Sequence, residues 1–131
     1  MQREFKTDIG TVKAFINVET TYFEFEDATI NGVNYKMLTL TVDTNTGRCT
    51  YGLRVLWGSK NPTDKARTKV YNAVYAVAEQ IRNDKTLMRA VKIEDNEQEQ
   101  KRLESDIRKL EEKKIELEAA KEVLIKLAST L

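Results

Sequence analysis

Apolar and polar residues alternate along the first 57 residues, which is the pattern of half-buried β-strands. Segment 23–26 alternates phenylalanine with glutamate. Asn31 and Gly32 follow it, and this dipeptide supplies the positive φ angles of a two-residue type I′ turn. A second turn is predicted over residues 44–47, and a last strand runs from about residue 48 to residue 57. The pattern therefore predicts an N-terminal antiparallel β-meander of four or five strands.

A helical period of apolar residues begins after Gly58. Asn61 is the predicted N-cap, Pro62 suits the first helical position, and Asn83 is the predicted left-handed stop. Since neither a sheet nor an amphipathic helix can bury its apolar side alone, we expect this helix to cover one face of the sheet. Its apolar stripe consists of Ala66, Val70, Ala73, Val74, Val77, Ala78 and Ile81.

The composition changes at Glu94, and from there to the end the chain has no Gly, Pro, Phe, Tyr or Trp. A short helix is expected over residues 84–93, and one long charged helix of roughly 35 residues after it. The predicted organisation is thus an α+β fold, with a meander-plus-helix domain over residues 1–93 and a helical arm over residues 94–131. Five leucines recur every seven residues along the arm: Leu103, Leu110, Leu117, Leu124 and Leu131.

A seven-residue leucine repeat is the pattern of a coiled coil. Ile107 and Ala128 occupy the companion core position, but Lys114 and Lys121 interrupt it. These lysines disfavour a strict parallel zipper, and both an antiparallel pair and a helix folded back on its own domain stay open. The arm is predicted to mediate homo-oligomerisation, as a dimer or a larger assembly built from dimers.

The composition excludes several kinds of catalysis. The 131 residues include no histidine and a single cysteine, so a histidine-activated nucleophile, a histidine metal ligand and an internal disulfide cannot form. No glycine-rich phosphate loop occurs. No apolar run approaches the ~20 residues of a membrane span. We therefore expect a cytoplasmic protein that is not an enzyme, uses no metal or cofactor and has no membrane partner.

Charge is distributed unevenly along the chain. Residues 60–93 carry eight basic and three acidic side chains, a net charge of +5. The segments before and after carry net charges of −1 and −3, and the whole chain is close to neutral at +1. A positive band of this kind raises the local concentration of anions such as phosphates. The middle segment is therefore the predicted anion-binding surface.

The last predicted strand holds the first candidate ligand contacts. An aromatic ring stacks on a base and an arginine binds a phosphate, so Trp57 and Arg54 are candidates. Tyr51 and Trp57 share one face of a regular strand, and Arg54 points the other way. The alternative is that both aromatic residues belong to the core of the sheet and that Arg54 is solvated.

The junction between the two predicted helices holds the second group. Arg82, Asn83, Arg89 and Lys92 lie there, close to the start of a helix, where anions bind. The alternative is a solvated linker. Tyr71 and Tyr75 either widen the buried face of the first helix or form a stacking wall above Arg82.

Two arginines of the arm complete the set of candidates. Arg102 and Arg108 can reach the ligand site of a neighbouring chain if the protein dimerises. The alternative is that they are surface ion-pair partners, as the spacing of Glu104 and Arg108 predicts.

The layout resembles the phage-encoded Thoeris anti-defence sponge proteins of the first type. The features that carry the resemblance are the strand over residues 48–57, the turn Arg82-Asn83-Asp84 and the arginines Arg102 and Arg108. It implies an oligomer joined through helices that sequesters cyclic nucleotide signals, including cyclic ADP-ribose isomers, without cleaving them. The ligand pockets are then expected at an interface between chains.

Two other functions stay open at this point. The first is a protein inhibitor or adaptor of phage or bacterial origin that docks on a host protein through its arm, where residues 123–131 are apolar on more than one face. The second is nucleic-acid binding through residues 60–93, which the near-neutral net charge of the whole chain disfavours.

Overall fold

The computed structural model describes residues 1–56 and 58–130. The chain divides into two compact units, Met1–Asp95 and Asn96–Leu131. The first unit holds a five-stranded antiparallel sheet, and a long helix runs over Lys85–Ser129, which confirms the predicted α+β class. None of the described helices combines the length and the apolar character needed to cross a bilayer.

The sheet is a meander in which each strand pairs with its neighbours in sequence, in the order β1-β2-β3-β4-β5. Its turns follow the predicted chemistry. Asn31 and Gly32 join β3 to β4 with φ angles of 52° and 77°, as a type I′ turn requires. The strands are β1 (Gln2–Thr7), β2 (Gly10–Ile16), β3 (Thr20–Ile30), β4 (Val33–Asp43) and β5 (Arg54–Val55).

The alternation of buried and exposed residues shifts by one position within β3. Phe23 and Phe25 are fully buried, and the next buried residues are Ala28 and Ile30, so the alternation skips one position. Asp27 lies at the skip with a φ of 53°, a left-handed conformation that aspartate tolerates better than most residues. This local change keeps the apolar end of the β3–β4 hairpin on the core side.

The last strand is much shorter than predicted. Only Arg54 and Val55 pair with β4, and residue 49 forms a single isolated bridge to Val42. The pairing register shifts by two residues between these points, because the amide of Leu53 donates to the hydroxyl oxygen of Tyr71 (2.9 Å) rather than to β4. Trp57 lies outside the described residues.

Helix α1 (Asp64–Asn83) packs the predicted apolar stripe onto one face of the sheet. Its N-cap is Thr63, whose hydroxyl accepts from the amide of Ala66 (3.3 Å), so the helix begins two residues later than the predicted first position at Pro62. Asn83 is still helical, and Asp84 ends the helix with a φ of −83°. The predicted left-handed stop was therefore wrong.

Helix α2 (Lys85–Ser129) runs for 45 residues without a break, where two helices were predicted. A single residue, Asp84, separates it from α1, and the Asp84 carboxylate accepts from the amide of Leu87 (3.0 Å) at its first turn. Leu87 and Val91 join the core. Asn96, in the region where the second predicted helix would begin, lies within α2, and its side-chain oxygen accepts from Gln100 (2.8 Å).

Candidate functional site

A cleft lies between the last turns of α1 and the turn that follows β4. It has a volume of about 450 Å³ and is lined by residues 46–49 on one side and by Tyr75, Glu79 and Arg82 on the other. The three helical residues follow one another at spacings of four and three, so they share one side of α1. The cleft therefore belongs to the first unit alone.

Arg82 is positioned by the turn beneath it. Gly47 has a φ of 70° and is buried, and a β-carbon placed on it would lie 3.3 Å from Nε and 3.4 Å from Cζ of Arg82. The turn itself is fixed by Asp43, whose carboxylate accepts from the amides of Asn45 and Thr46 (2.9 Å each). Glycine is thus favoured here by the backbone angle, and a β-carbon would also require the guanidinium to move by a few tenths of an ångström.

The cleft carries two arginines whose charges are not neutralised locally. Arg48 and Arg82 both line it. Among residues 1–56 and 58–130, no carboxylate forms an ion pair with either guanidinium. Glu79 is the one acidic side chain in the lining. Two arginines in the lining of one cavity can offer several donors to a phosphate or pyrophosphate, which arginine binds in a bidentate manner.

An aromatic side chain borders the same cleft. Tyr75 is 42% exposed, and its ring centroid lies 6.0 Å from that of Tyr71. Burial raises the pKa of Tyr75 above its ordinary value, and the nearby Cys49 and Tyr71 add to the effect. The Tyr75 phenol therefore stays protonated at neutral pH, where its hydroxyl can donate to an anionic oxygen and its ring can stack on a base.

Arg54 lies on the other face of the sheet. It pairs with Thr39, whose neighbours Leu38 and Leu40 point into the core under α1. Its guanidinium lies 5.7 Å from the ring centroid of Tyr51, and both residues border a cavity of about 240 Å³. Tyr51 is 66% exposed, so it is not a core residue. The register shift before β5 brings Tyr51 and Arg54 together, contrary to the alternation of a regular strand.

The remaining candidates are distributed over both units. Asn83 and Arg89 are exposed in the first unit and neither lines the cleft with Arg82. Arg102 and Arg108 are exposed in the second unit, where Arg102 pairs with Glu99 (3.0 Å). Trp57, as stated, falls outside the described residues. Of the seven candidates, Arg82 alone is seen in the cleft.

Sequence reasoning missed Arg48 and Glu79. Arg48 was not recognised because its neighbour in space, Arg82, is 34 positions away, and only the fold of the turn against α1 brings them to one cavity. A signal for Glu79 was present, since the spacing Tyr75–Glu79–Arg82 places all three on one side of the predicted helix.

A second, larger cavity lies elsewhere in the first unit. It has a volume of about 620 Å³ and lies between α1 and the β1–β2 and β3–β4 turns. Its two lysines are Lys6 and Lys69, and Lys69 already donates to the side-chain oxygen of Asn31 (2.6 Å). Asp8 is also in the lining. The smaller cleft differs in that both of its basic residues are arginines, whose planar guanidinium groups can bind a phosphate in a bidentate manner.

Within residues 1–56 and 58–130, no group of three or more cysteine and acidic side chains is arranged to hold a metal ion. Comparisons of the chain with protein-family models, with curated proteins and with solved structures returned no match. What the protein does must therefore be inferred from its own residues.

Proposed function

We propose that the protein binds a cyclic nucleotide signal of the cyclic ADP-ribose type in the Arg48–Arg82 cleft and holds it without cleaving it, as an anti-defence sponge. The observation that carries the proposal is that two arginines, neither of them in an ion pair within residues 1–56 and 58–130, line one cavity together with Tyr75. The layout of the chain, which resembles the sponge proteins, supports the same ligand class.

The chemistry of the cleft fits the parts of such a ligand. Arg48 and Arg82 suit the pyrophosphate, the ring of Tyr75 suits the adenine, and Glu79 suits a ribose hydroxyl as an acceptor. The volume of about 450 Å³ is within the range of small-molecule sites. Since the cleft is formed within one chain, the proposal does not depend on the oligomer that the resemblance implies.

A sponge acts by lowering the concentration of free signal, so tight binding is sufficient and turnover is not required. The cleft lining contains no histidine, and Glu79 is its one carboxylate. No pair of groups in it is arranged as a nucleophile and its activating base. This composition supports a ligand that is held intact.

Calorimetric titration of the full chain tests the proposal. Cyclic ADP-ribose is compared with linear ADP-ribose, 3′,5′-cyclic AMP and inorganic pyrophosphate, and mass spectrometry follows the fate of each ligand. We expect the chain to bind cyclic ADP-ribose and the ligand to be recovered unchanged. Arg48→Gln and Arg82→Gln should each weaken binding by about 10-fold or more, since a hydrogen bond to a charged group contributes about 1.5–3 kcal/mol.

Arg67→Gln is the matched control, because it removes the same charge from α1 at a position outside the cleft. It should leave the affinity unchanged. Absence of binding across the panel, cleavage of the ligand, or an equal loss in the control variant would contradict the proposal.

A second candidate function is favoured by the apolar surface of α2. Val123, Leu124, Ile125 and Leu127 are each more than half exposed. An inhibitor or adaptor that docks on a host protein through this end accounts for them. Replacing Val123, Leu124 and Leu127 with serine should then abolish a stoichiometric complex with that host protein and leave nucleotide titrations unchanged. The sponge function predicts the opposite dependence, on Arg48 and Arg82.

A further inference from the structure

The cavity between α1 and the β1–β2 and β3–β4 turns, which we call the turn cavity, is large enough to hold a ligand. Its volume of about 620 Å³ is within the range of small-molecule sites. Lys69, Asn72, Ala76 and Gln80 are in its lining and follow one another at spacings of three and four, so they share one side of α1. None of them lines the Arg48–Arg82 cleft.

The floor of the turn cavity is apolar. Ile9, Ile30 and Val77 are each at most 7% exposed and belong to the hydrophobic core. Ala73 and Ala76 are also in the lining, and because their side chains are single methyl groups they leave space above this floor. The floor can therefore cover the C–H groups of a ligand, while the polar residues around it select the ligand's chemistry.

The polar rim is held in place by the two turns. Nζ of Lys69 donates to Oδ1 of Asn31 (2.6 Å), and Asn31 has a φ of 52° in its type I′ turn. In the β1–β2 turn, the hydroxyl of Thr7 donates to the carbonyl oxygen of Gly10 (2.6 Å) and accepts from the amide of Ile9 (3.3 Å). An ammonium group has three donors, so Lys69 keeps two for a ligand. A rim ordered in this way lowers the entropic cost of binding.

Three charged side chains line the turn cavity. Lys6 and Lys69 are basic and Asp8 is acidic, which gives the lining a net charge of +1. Within residues 1–56 and 58–130, none of the three forms an ion pair. Lysine binds phosphate as a point charge, whereas the Asp8 carboxylate repels a second anionic group and accepts hydrogen bonds. The lining thus suits a ligand with one anionic group and a neutral, hydrogen-bonding remainder.

The carboxamides of the lining indicate what that remainder is. Asn31, Asn72 and Gln80 each carry a carbonyl oxygen and an amino group side by side. Within residues 1–56 and 58–130, the side chains of Asn72 and Gln80 form no hydrogen bond. Neighbouring hydroxyls of a sugar, each both a donor and an acceptor, match such groups. No described residue of the lining is aromatic, so a nucleobase finds no ring to stack on.

We propose that the turn cavity binds a sugar phosphate. Lys6 and Lys69 bind the phosphoryl group, the carboxamides and Asp8 bind the sugar hydroxyls, and the apolar floor covers the C–H groups of the ring. An α-amino acid matches the lining less well, because it has too few hydrogen-bonding groups for three carboxamides. The inference is independent of the proposed nucleotide site, since the two cavities share no lining residue.

Calorimetric titration of the full chain with glucose 6-phosphate and ribose 5-phosphate tests the proposal. Glucose, inorganic phosphate and L-glutamate are titrated separately and represent the sugar alone, the anion alone and the amino-acid alternative. We expect at least one sugar phosphate to bind at least ~10-fold more tightly than each of these three compounds. In nuclear magnetic resonance spectra, the side-chain amide signals of Asn72 and Gln80 should shift on binding.

Lys69→Met removes one ammonium group from the rim and should weaken binding of the sugar phosphate by about 10-fold or more. Ala76→Leu should weaken it as well, because the longer side chain occupies the space above the floor. Lys65→Met is the matched control: it removes the same charge from α1 at an exposed position outside the turn cavity and should leave the affinity unchanged. Circular dichroism checks that all three variants are folded.

Absence of binding by both sugar phosphates would overturn the proposal. Equally tight binding of inorganic phosphate or L-glutamate, or an equal loss of affinity in Lys65→Met and Lys69→Met, would overturn it too. Arg82→Gln should bind the sugar phosphate like the parent chain, and a loss in that variant would assign the ligand to the other cavity. Failure of the nucleotide proposal is thereby distinguishable from failure of this one.

Discussion

The guanidinium of Arg82 lies so close to Gly47 that a β-carbon on that glycine would be 3.3 Å from its Nε. Gly47→Ala is therefore expected to shift the Arg82 guanidinium within the cleft by a few tenths of an ångström. It should lower the free energy of unfolding by about 1–2 kcal/mol, because alanine is strained at a φ of 70°, and it should also weaken ligand binding. Urea denaturation and calorimetric titration measure the two effects separately.

Gly32→Ala is the matched control for this prediction. Gly32 has a similar φ of 77°, but no atom lies within 4 Å of the place its β-carbon would take. The control should lose stability through the same backbone strain and keep the affinity of the parent chain. If both variants bind ligand equally well, the contact between Gly47 and Arg82 has no role in the site.

Two buried threonines join the turn after β4 to the start of β3. The hydroxyls of Thr21 and Thr44 are 2.8 Å apart, and the Thr44 hydroxyl donates to the carbonyl oxygen of Asn17 (2.8 Å). Thr44→Val should lower the free energy of unfolding by about 1–3 kcal/mol, since it leaves the buried Thr21 hydroxyl without this partner. Thr41→Val, at a half-buried position of β4, should stay within about 0.5 kcal/mol of the parent.

Asp84 is the single residue between α1 and α2. Its carboxylate accepts from the amide of Leu87, which makes it the N-cap contact of a 45-residue helix. Asp84→Ala should cost about 0.5–2 kcal/mol of stability in urea denaturation. Asp84→Asn keeps an acceptor oxygen in place and should cost much less. Equal losses in the two variants would show that the hydrogen bond is not the cause.

Asp43 makes the stability of the β4 turn depend on pH. Hydrogen bonds from the backbone amides of Thr46 and Asn45 hold the pKa of its carboxyl below the ordinary value, because they stabilise the charged form. The contribution is thus fully present above the ordinary value of about 3.9 and is lost as the pH falls through the lowered one. Asp43→Asn should therefore show a shallower loss of stability than the parent in urea titrations between pH 6 and pH 2.5. Parallel curves would contradict this prediction.

The local patterns that determine single elements were readable in the sequence. Asn31-Gly32 predicts its turn because only a few residues tolerate two positive φ angles. The apolar stripe of α1 predicts its buried face because a helix of this period must bury one side. The extent of the last strand was not readable, because it depends on the Tyr71 hydroxyl, which takes the amide of Leu53 out of the sheet. The pattern of apolar and polar residues within 48–57 gives no sign of that contact with Tyr71.

The candidate site could likewise be predicted only in part, because local patterns show in the sequence and contacts between distant segments do not. Arg82 was identified from local charge near a predicted helix end. Arg48 was not, because its role depends on the turn at Gly47 folding against α1. The predicted break before the arm was wrong because the change of composition at Glu94 alters which residues are exposed without interrupting the backbone hydrogen bonds of a helix.

The continuity of α2 across Asp95 has a practical consequence for dissecting the molecule. A protease that cleaves extended linkers would find no such substrate where the composition changes, since residues 94–96 are all within the helix. A chain truncated after residue 95 would lose the amides of residues 96–99, which donate hydrogen bonds to the carbonyl oxygens of residues 92–95 in a helix. A stop codon placed two turns further along would let the sheet-bearing unit be prepared with that final turn of its own helix intact.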